Sequence, residues 1–107
     1  MNKLVNIICI SKLFPDEYNR LYQFFRALFK DNITKDVTAR SSRMTAEVSG
    51  KTIQIIFMSS QQDIEFFLGL PQVDIVLIDT KISKELKQLL RTKLLVKNGM
   101  LFEGVNE

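Results

Sequence analysis

Between Gly69 and Lys81 the chain reads GLPQVDIVLIDTK, and Val73 to Ile78 form a nearly unbroken apolar run that Asp79 closes. Short, β-branched and preceded by Pro71, this run predicts a strand buried on both faces in the middle of a sheet. Strands of that kind belong to α/β proteins, in which ligands bind outside the carboxyl ends of the strands. Asp79 therefore stands where a magnesium ligand or a catalytic carboxylate would be placed.

The rest of the chain supplies partners for such a strand. Leu4 to Ile10 (LVNIICI) is apolar except at Asn6 and reads as an interior strand. Pro15 suits the first position of a helix, with Asp16 and Glu17 at its positive end. Tyr18, Leu21, Tyr22, Phe25, Leu28 and Phe29 then recur at helical spacing and predict one wide apolar face. After a polar stretch with a short strand near Thr34 to Thr38, Met44, Ala46 and Val48 alternate with Thr45 and Glu47, and Ser49 to Lys51 turn the chain into Thr52 to Met58. That is a β-hairpin. Ser60 and Asp63 precede a short helix through Ile64, Phe67 and Leu68 that Gly69 stops. Beyond Asp79, Ser83 caps a helix that turns Leu86, Leu89, Leu90 and Leu94 inward, Asn98-Gly99 makes a turn, and Met100 to Val105 is a last strand. The predicted order is β-α-β-β-α-β-α-β, an α/β fold.

At 107 residues this is one domain, residues 1–107, with 46% apolar and 25% charged residues. Cys9 is the one cysteine, and no histidine is present to help it bind zinc or act as a nucleophile. A reducing, cytoplasmic setting is expected. No signal peptide is visible, and no apolar run approaches the roughly 18 residues that span a bilayer, so no membrane partner is expected. The net charge of +3 is modest but unevenly spread. Charged residues from Gln61 to Thr80 are all acidic, whereas Lys81 to Lys97 hold six basic residues against Glu85.

Several candidate sites follow. Asp79 is a candidate metal ligand, and a carboxylate capping the next turn explains it as well. Nuclease chemistry on Asp79-Thr80-Lys81 would need a second acid. Asp74 lies about 17 Å away along the same strand, so Glu17, Glu47 or Asp63 would have to complete the site. Lys84, Lys87 and Arg91 form a basic helix stripe, continued by Lys81, Lys93 and Lys97, that suits phosphates or simply faces solvent; Arg40, Arg43 and Lys51 are candidates to extend it. Gln61, Ile64, Phe67 and Leu68 have the spacing of a sliding-clamp-binding peptide, although the same residues make a natural inner helix face. Gly50-Lys51-Thr52 spells the end of a phosphate loop, but it sits between two strands, and Thr45 stands where the first glycine belongs.

The segment from Arg40 to Asp79, ARSSRMTAEVSGKTIQIIFMSSQQDIEFFLGLPQVDIVLID, resembles the middle of the ATPase domain of phage terminase large subunits and related helicase-like P-loop ATPases. Leu4 to Phe29 is similar to the family's preceding strand and helix, and Leu86 to Gly104 to its following helix, turn and strand. The resemblance implies a truncated P-loop NTPase-like, three-layer sandwich with a mostly parallel sheet and a hairpin. It also implies loss of ATP hydrolysis. The phosphate-binding loop should precede Leu4, and Thr80 stands where the Walker B strand carries its glutamate. No cofactor or resident metal is expected.

Three functional classes emerge. The first is a non-catalytic, phage-encoded module that binds nucleic acid or a DNA-processing protein through its basic surface. The second is a protein inhibitor or regulator of a replication or packaging factor. The third is a metal-dependent nuclease or phosphoesterase built on Asp79. Self-association through an open sheet edge is expected in addition.

Overall fold

The computed structural model describes residues 3–12, 20–38 and 41–104. Among the described residues six strands and three helices follow one another: β1 (Lys3–Ser11), α1 (Arg20–Phe29), β2 (Ile33–Lys35), β3 (Arg43–Val48), β4 (Lys51–Ser59), α2 (Ile64–Leu68), β5 (Val73–Ile78), α3 (Lys84–Leu89) and β6 (Leu95–Glu103). A 3-10 turn, Lys30–Asn32, follows α1, and a π-helical turn, Leu90–Leu94, extends α3. Among the described residues no helix is long and apolar enough to cross a membrane. Pro15, Asp16, Glu17, Tyr18, Arg40 and Val105 lie outside the described residues.

The strands form one sheet in the order β2-β3-β4-β1-β5-β6. β1 pairs in parallel with β4 and β5, and β5 in parallel with β6, whereas β2–β3 and β3–β4 are antiparallel. The sheet is thus mixed rather than mostly parallel. The hairpin adds one antiparallel interface, and β2 adds a second on its outer edge. The hairpin itself turns through Ser49 and Gly50, both at positive φ (50° and 78°), the two-residue geometry that matches strand twist.

The strands buried on both faces are β1, where every residue from Asn6 to Ser11 is buried, and β4, where every residue from Ile55 to Ser59 is. β5 lies one place in from the sheet edge rather than in the middle, and its Ile75 and Leu77 are only half-buried. One face of the sheet packs Ile8, Ile10, Ile56, Met58, Val76 and Ile78 against Phe67 of α2 and Leu86, Leu90 and Leu94 beyond it. The other packs Ile7, Cys9, Met44, Ile55 and Phe57 against Phe25 of α1. The apolar stripe of α1 is narrower than its sequence suggests. Leu21, Tyr22, Phe25 and Phe29 meet the sheet, but Leu28 is 58% exposed and Phe24 56%.

Asn98-Gly99 is not the turn before a strand. Val73 pairs with Leu95 and Ile75 with Met100, so Asp74 alone opposes Val96, Lys97, Asn98 and Gly99 in a wide bulge within β6. Gly99 is needed there because a Cβ would lie 3.0 Å from the Asp74 carbonyl oxygen. The irregularity reaches β1 as well, where the Asn6 N–H donates to Asp74 Oδ2 at 2.9 Å in place of a ladder bond.

Candidate functional site

The four parallel strands end along one edge of the sheet. From there the chain leaves β1 for α1 on one face, and leaves β5 for α3 on the other. The divergence opens a crevice between β1 and β5, the place where open α/β sheets hold ligands. Asp79 sits in it, its N–H donating to the Ile10 carbonyl at 2.8 Å. Its carboxylate is engaged by a cation. Arg20 donates from Nε to Oδ2 at 3.2 Å and from Nη2 to Oδ1, a bidentate pair.

The neighbouring hydroxyl is also committed. Ser59 Oγ donates to the Lys12 carbonyl at 2.9 Å and accepts from the Gln61 N–H at 3.1 Å. Of the other candidate acids, Glu17 lies outside the described residues, and Asp63 is the N-cap residue of α2. Asp74 is at the opposite end of β5, and Glu47 accepts from Thr52 Oγ1 near the hairpin turn. Among the described residues no three His, Cys, Asp or Glu side chains come close enough to hold a metal. Burial pushes the Cys9 thiol far above its ordinary pKa, so it is not a nucleophile.

The basic residues divide between two regions. Ser83 Oγ accepts the Leu86 N–H at 3.1 Å and starts α3 where the sequence places its cap. Lys84, Lys87 and Arg91 then line one open cleft of about 350 Å³ with Gln88 and Thr92. Lys87 is paired with Glu103 at 2.6 Å, while Lys84 and Arg91 are exposed and have no ion-pair partner among the described residues. Lys81 lies exposed before α3, and Lys97 is exposed on the β6 bulge. Lys93 borders a separate hollow with Ile64, Leu68, Glu85 and Leu89. Arg43 and Lys51 do not extend this surface. Arg43 lies on β3, second in a sheet whose sixth strand is β6, and Lys51 begins β4 at the hairpin turn.

Of the peptide-like set on α2, Phe67 is fully buried, Ile64 is half-buried against the same core, and Gln61 and Leu68 are exposed. Phe66, outside that set, is 57% exposed. Sequence reasoning missed Arg20, because no local pattern ties it to a carboxylate 59 residues away. It also missed Lys35, Thr45 and Gln54, which line a cleft with Arg43. The alternation of Arg43, Thr45 and Glu47 with buried positions was the available signal for a polar sheet face. Comparison of the chain with protein-family models, with curated proteins and with solved structures finds no match.

Proposed function

We propose that the chain is a non-catalytic binding module that engages a nucleic-acid backbone through the exposed face of α3. One observation carries this reading: Lys84, Lys87 and Arg91 line one open cleft, and two of the three cations have no ion-pair partner among the described residues. Cations set along a helix track phosphates, and each phosphate contact releases counterions. In this reading the helices on both sheet faces make a three-layer sandwich related to the helicase-like P-loop ATPases of phage terminases. Thr80 replaces the catalytic glutamate, and the module works in the cytoplasm of a phage host. An enzyme built on Asp79 is less well supported, because Arg20 already occupies both carboxylate oxygens.

Fluorescence anisotropy with labelled single-stranded DNA, duplex DNA and RNA tests the reading. Binding should weaken as salt rises, and Lys84→Glu with Arg91→Glu should abolish it. Absence of binding to all three at low salt would sink the proposal. A second reading, a regulator that docks on a DNA-processing protein, is favoured by the exposed Phe66 and Leu68 of α2. In that case charge reversal on α3 leaves partner binding intact, and Phe66→Ser with Leu68→Ser removes it.

A further inference from the structure

The sheet face that α2 and α3 cover becomes polar toward β2. Lys35 pairs with Thr45, Thr45 with Gln54, and Gln54 with Asn6. Residues directly opposite one another on neighbouring strands project to the same face. These four therefore form a row across the sheet, and Arg43, two residues before Thr45, projects the same way. Lys35, Arg43, Thr45 and Gln54, with Thr38 and Ser41 at the rim, line a cleft of about 400 Å³, a size typical of small-molecule sites.

Thr38 and Ser41 bond each other at the rim, the Ser41 N–H donating to Thr38 Oγ1 at 3.1 Å, whereas four side chains deeper in the row are open to a ligand. Lys35 and Arg43 make no ion pair among the described residues. The side chains of Thr45 and Gln54 are half-buried and make no hydrogen bond among the described residues. Asp36 also lines the cleft, but its carboxylate accepts from the Tyr22 hydroxyl at 3.0 Å and from the Val37 N–H at 2.7 Å, and pairs with Arg26 at 3.4 Å. The remaining charge is therefore cationic. Asn6, at the inner end of the row, does not line the cleft, and its Nδ2 donates to the Gln72 carbonyl at 3.3 Å. In the open cleft Thr45 and Gln54 are hydrated, and a ligand that displaces that water must supply matching donors and acceptors.

We propose that this cleft binds a phosphate ester of mononucleotide size. Arg43 and Lys35 take the phosphate, while Gln54 and Thr45, which each donate and accept, hydrogen-bond the polar body of the ligand. That chemistry belongs both to a free mononucleotide and to one nucleotide of a single strand. The proposal is independent of the α3 surface, which lies at the other end of the sheet.

The test is amide-resolved NMR titration of the ¹⁵N-labelled full chain with inorganic phosphate, adenosine monophosphate and an oligothymidine octamer. Saturable shifts at Lys35, Arg43, Thr45 and Gln54 with the monophosphate are expected. Arg43→Gln and Lys35→Gln should each weaken binding about tenfold or more, as expected for loss of a charge-assisted contact, and the pair Lys84→Glu with Arg91→Glu should not change it. Shifts at the same amides with the octamer alone would support the proposal with a strand nucleotide as the ligand. The proposal is overturned if neither probe shifts these amides at millimolar concentration. It is equally overturned if both Arg43→Gln and Lys35→Gln, shown folded by their own spectra, bind as the parent does.

Discussion

Arg20 donates to both carboxylate oxygens of Asp79 across the crevice between β1 and β5, so the carboxylate best placed for chemistry rests in an ion pair. The side chains are 65% and 19% exposed, and solvent screening keeps such a pair weak. A double-mutant cycle with Arg20→Ala and Asp79→Asn, read by urea unfolding, should give a coupling of about 0.5–1 kcal/mol. Additive single losses would show that the pair contributes nothing.

Gly99→Ala should cost about 1–3 kcal/mol, the range for forcing atoms into filled space. The new Cβ would meet the Asp74 carbonyl at 3.0 Å and the Leu95 side chain at 2.7 Å. Leu95 can rotate away, but the carbonyl belongs to the backbone of β5. Gly104→Ala, with nothing within 4 Å of the new Cβ, is the matched control and should stay within about 0.5 kcal/mol in the same unfolding experiment. Equal effects at the two glycines would refute the bulge.

What the sequence reveals and what it hides divide along one physical line. Elements fixed by local periodicity or local caps are legible: β1, the Ser49-Gly50 hairpin, the apolar run of β5, and α3 with its Ser83 cap. Properties set by strand register are not. An apolar run does not say which neighbours it will have, so β5 reads as central although β4 and β1 occupy the middle of the sheet. Asn98-Gly99 has turn chemistry but is used in a bulge, because Asp74 bonds sideways to Asn6. The candidate sites follow the same rule. The α3 stripe repeats at helical spacing and is legible, whereas the cleft of Lys35, Arg43, Thr45 and Gln54 exists only once three strands are aligned.

The α2 helix separates packing from recognition within two adjacent residues. Phe67 is fully buried among Ile8, Val76 and Leu90, and Leu68 is 56% exposed. Phe67→Ala should therefore cost about 3–5 kcal/mol, and Leu68→Ser no more than about 0.5 kcal/mol. Thermal unfolding of the two variants checks both values. A stable Phe67→Ala protein would reopen the clamp-peptide reading, since that mode needs Phe67 outside the core.

Cys9 is 1% exposed, between Ile8 and Ile10, and burial raises its pKa by disfavouring the thiolate. Thiol reagents attack the thiolate, so the folded protein should react with Ellman's reagent far more slowly than the urea-unfolded chain at the same pH. Labelling of the folded protein as fast as that of the unfolded chain would contradict this burial.

The two edges of the sheet are unequally protected. β2 is three residues long, a common way of blunting an edge. β6 is nine residues long, and its Met100 and Phe102 are 54% and 51% exposed. Opposite Ile75 and Leu77, these two face the side of the sheet on which α1 packs. Phe24 and Leu28 project from the flank of α1 away from Tyr22 and are exposed as well. Edge pairing of β6 between two copies of the chain would cover this face. At about 100 Å² each, half the area of a buried aromatic side chain, the four side chains offer about 400 Å² per protomer against the ~800 Å² of a standard interface. The area therefore predicts weak association. Sedimentation velocity should find monomer at low micromolar concentration and dimer only as it approaches the millimolar range. Phe102→Lys should hold the protein monomeric throughout, because a charge on the edge opposes pairing. A Phe102→Lys protein that dimerises like the parent would move the contact off this edge.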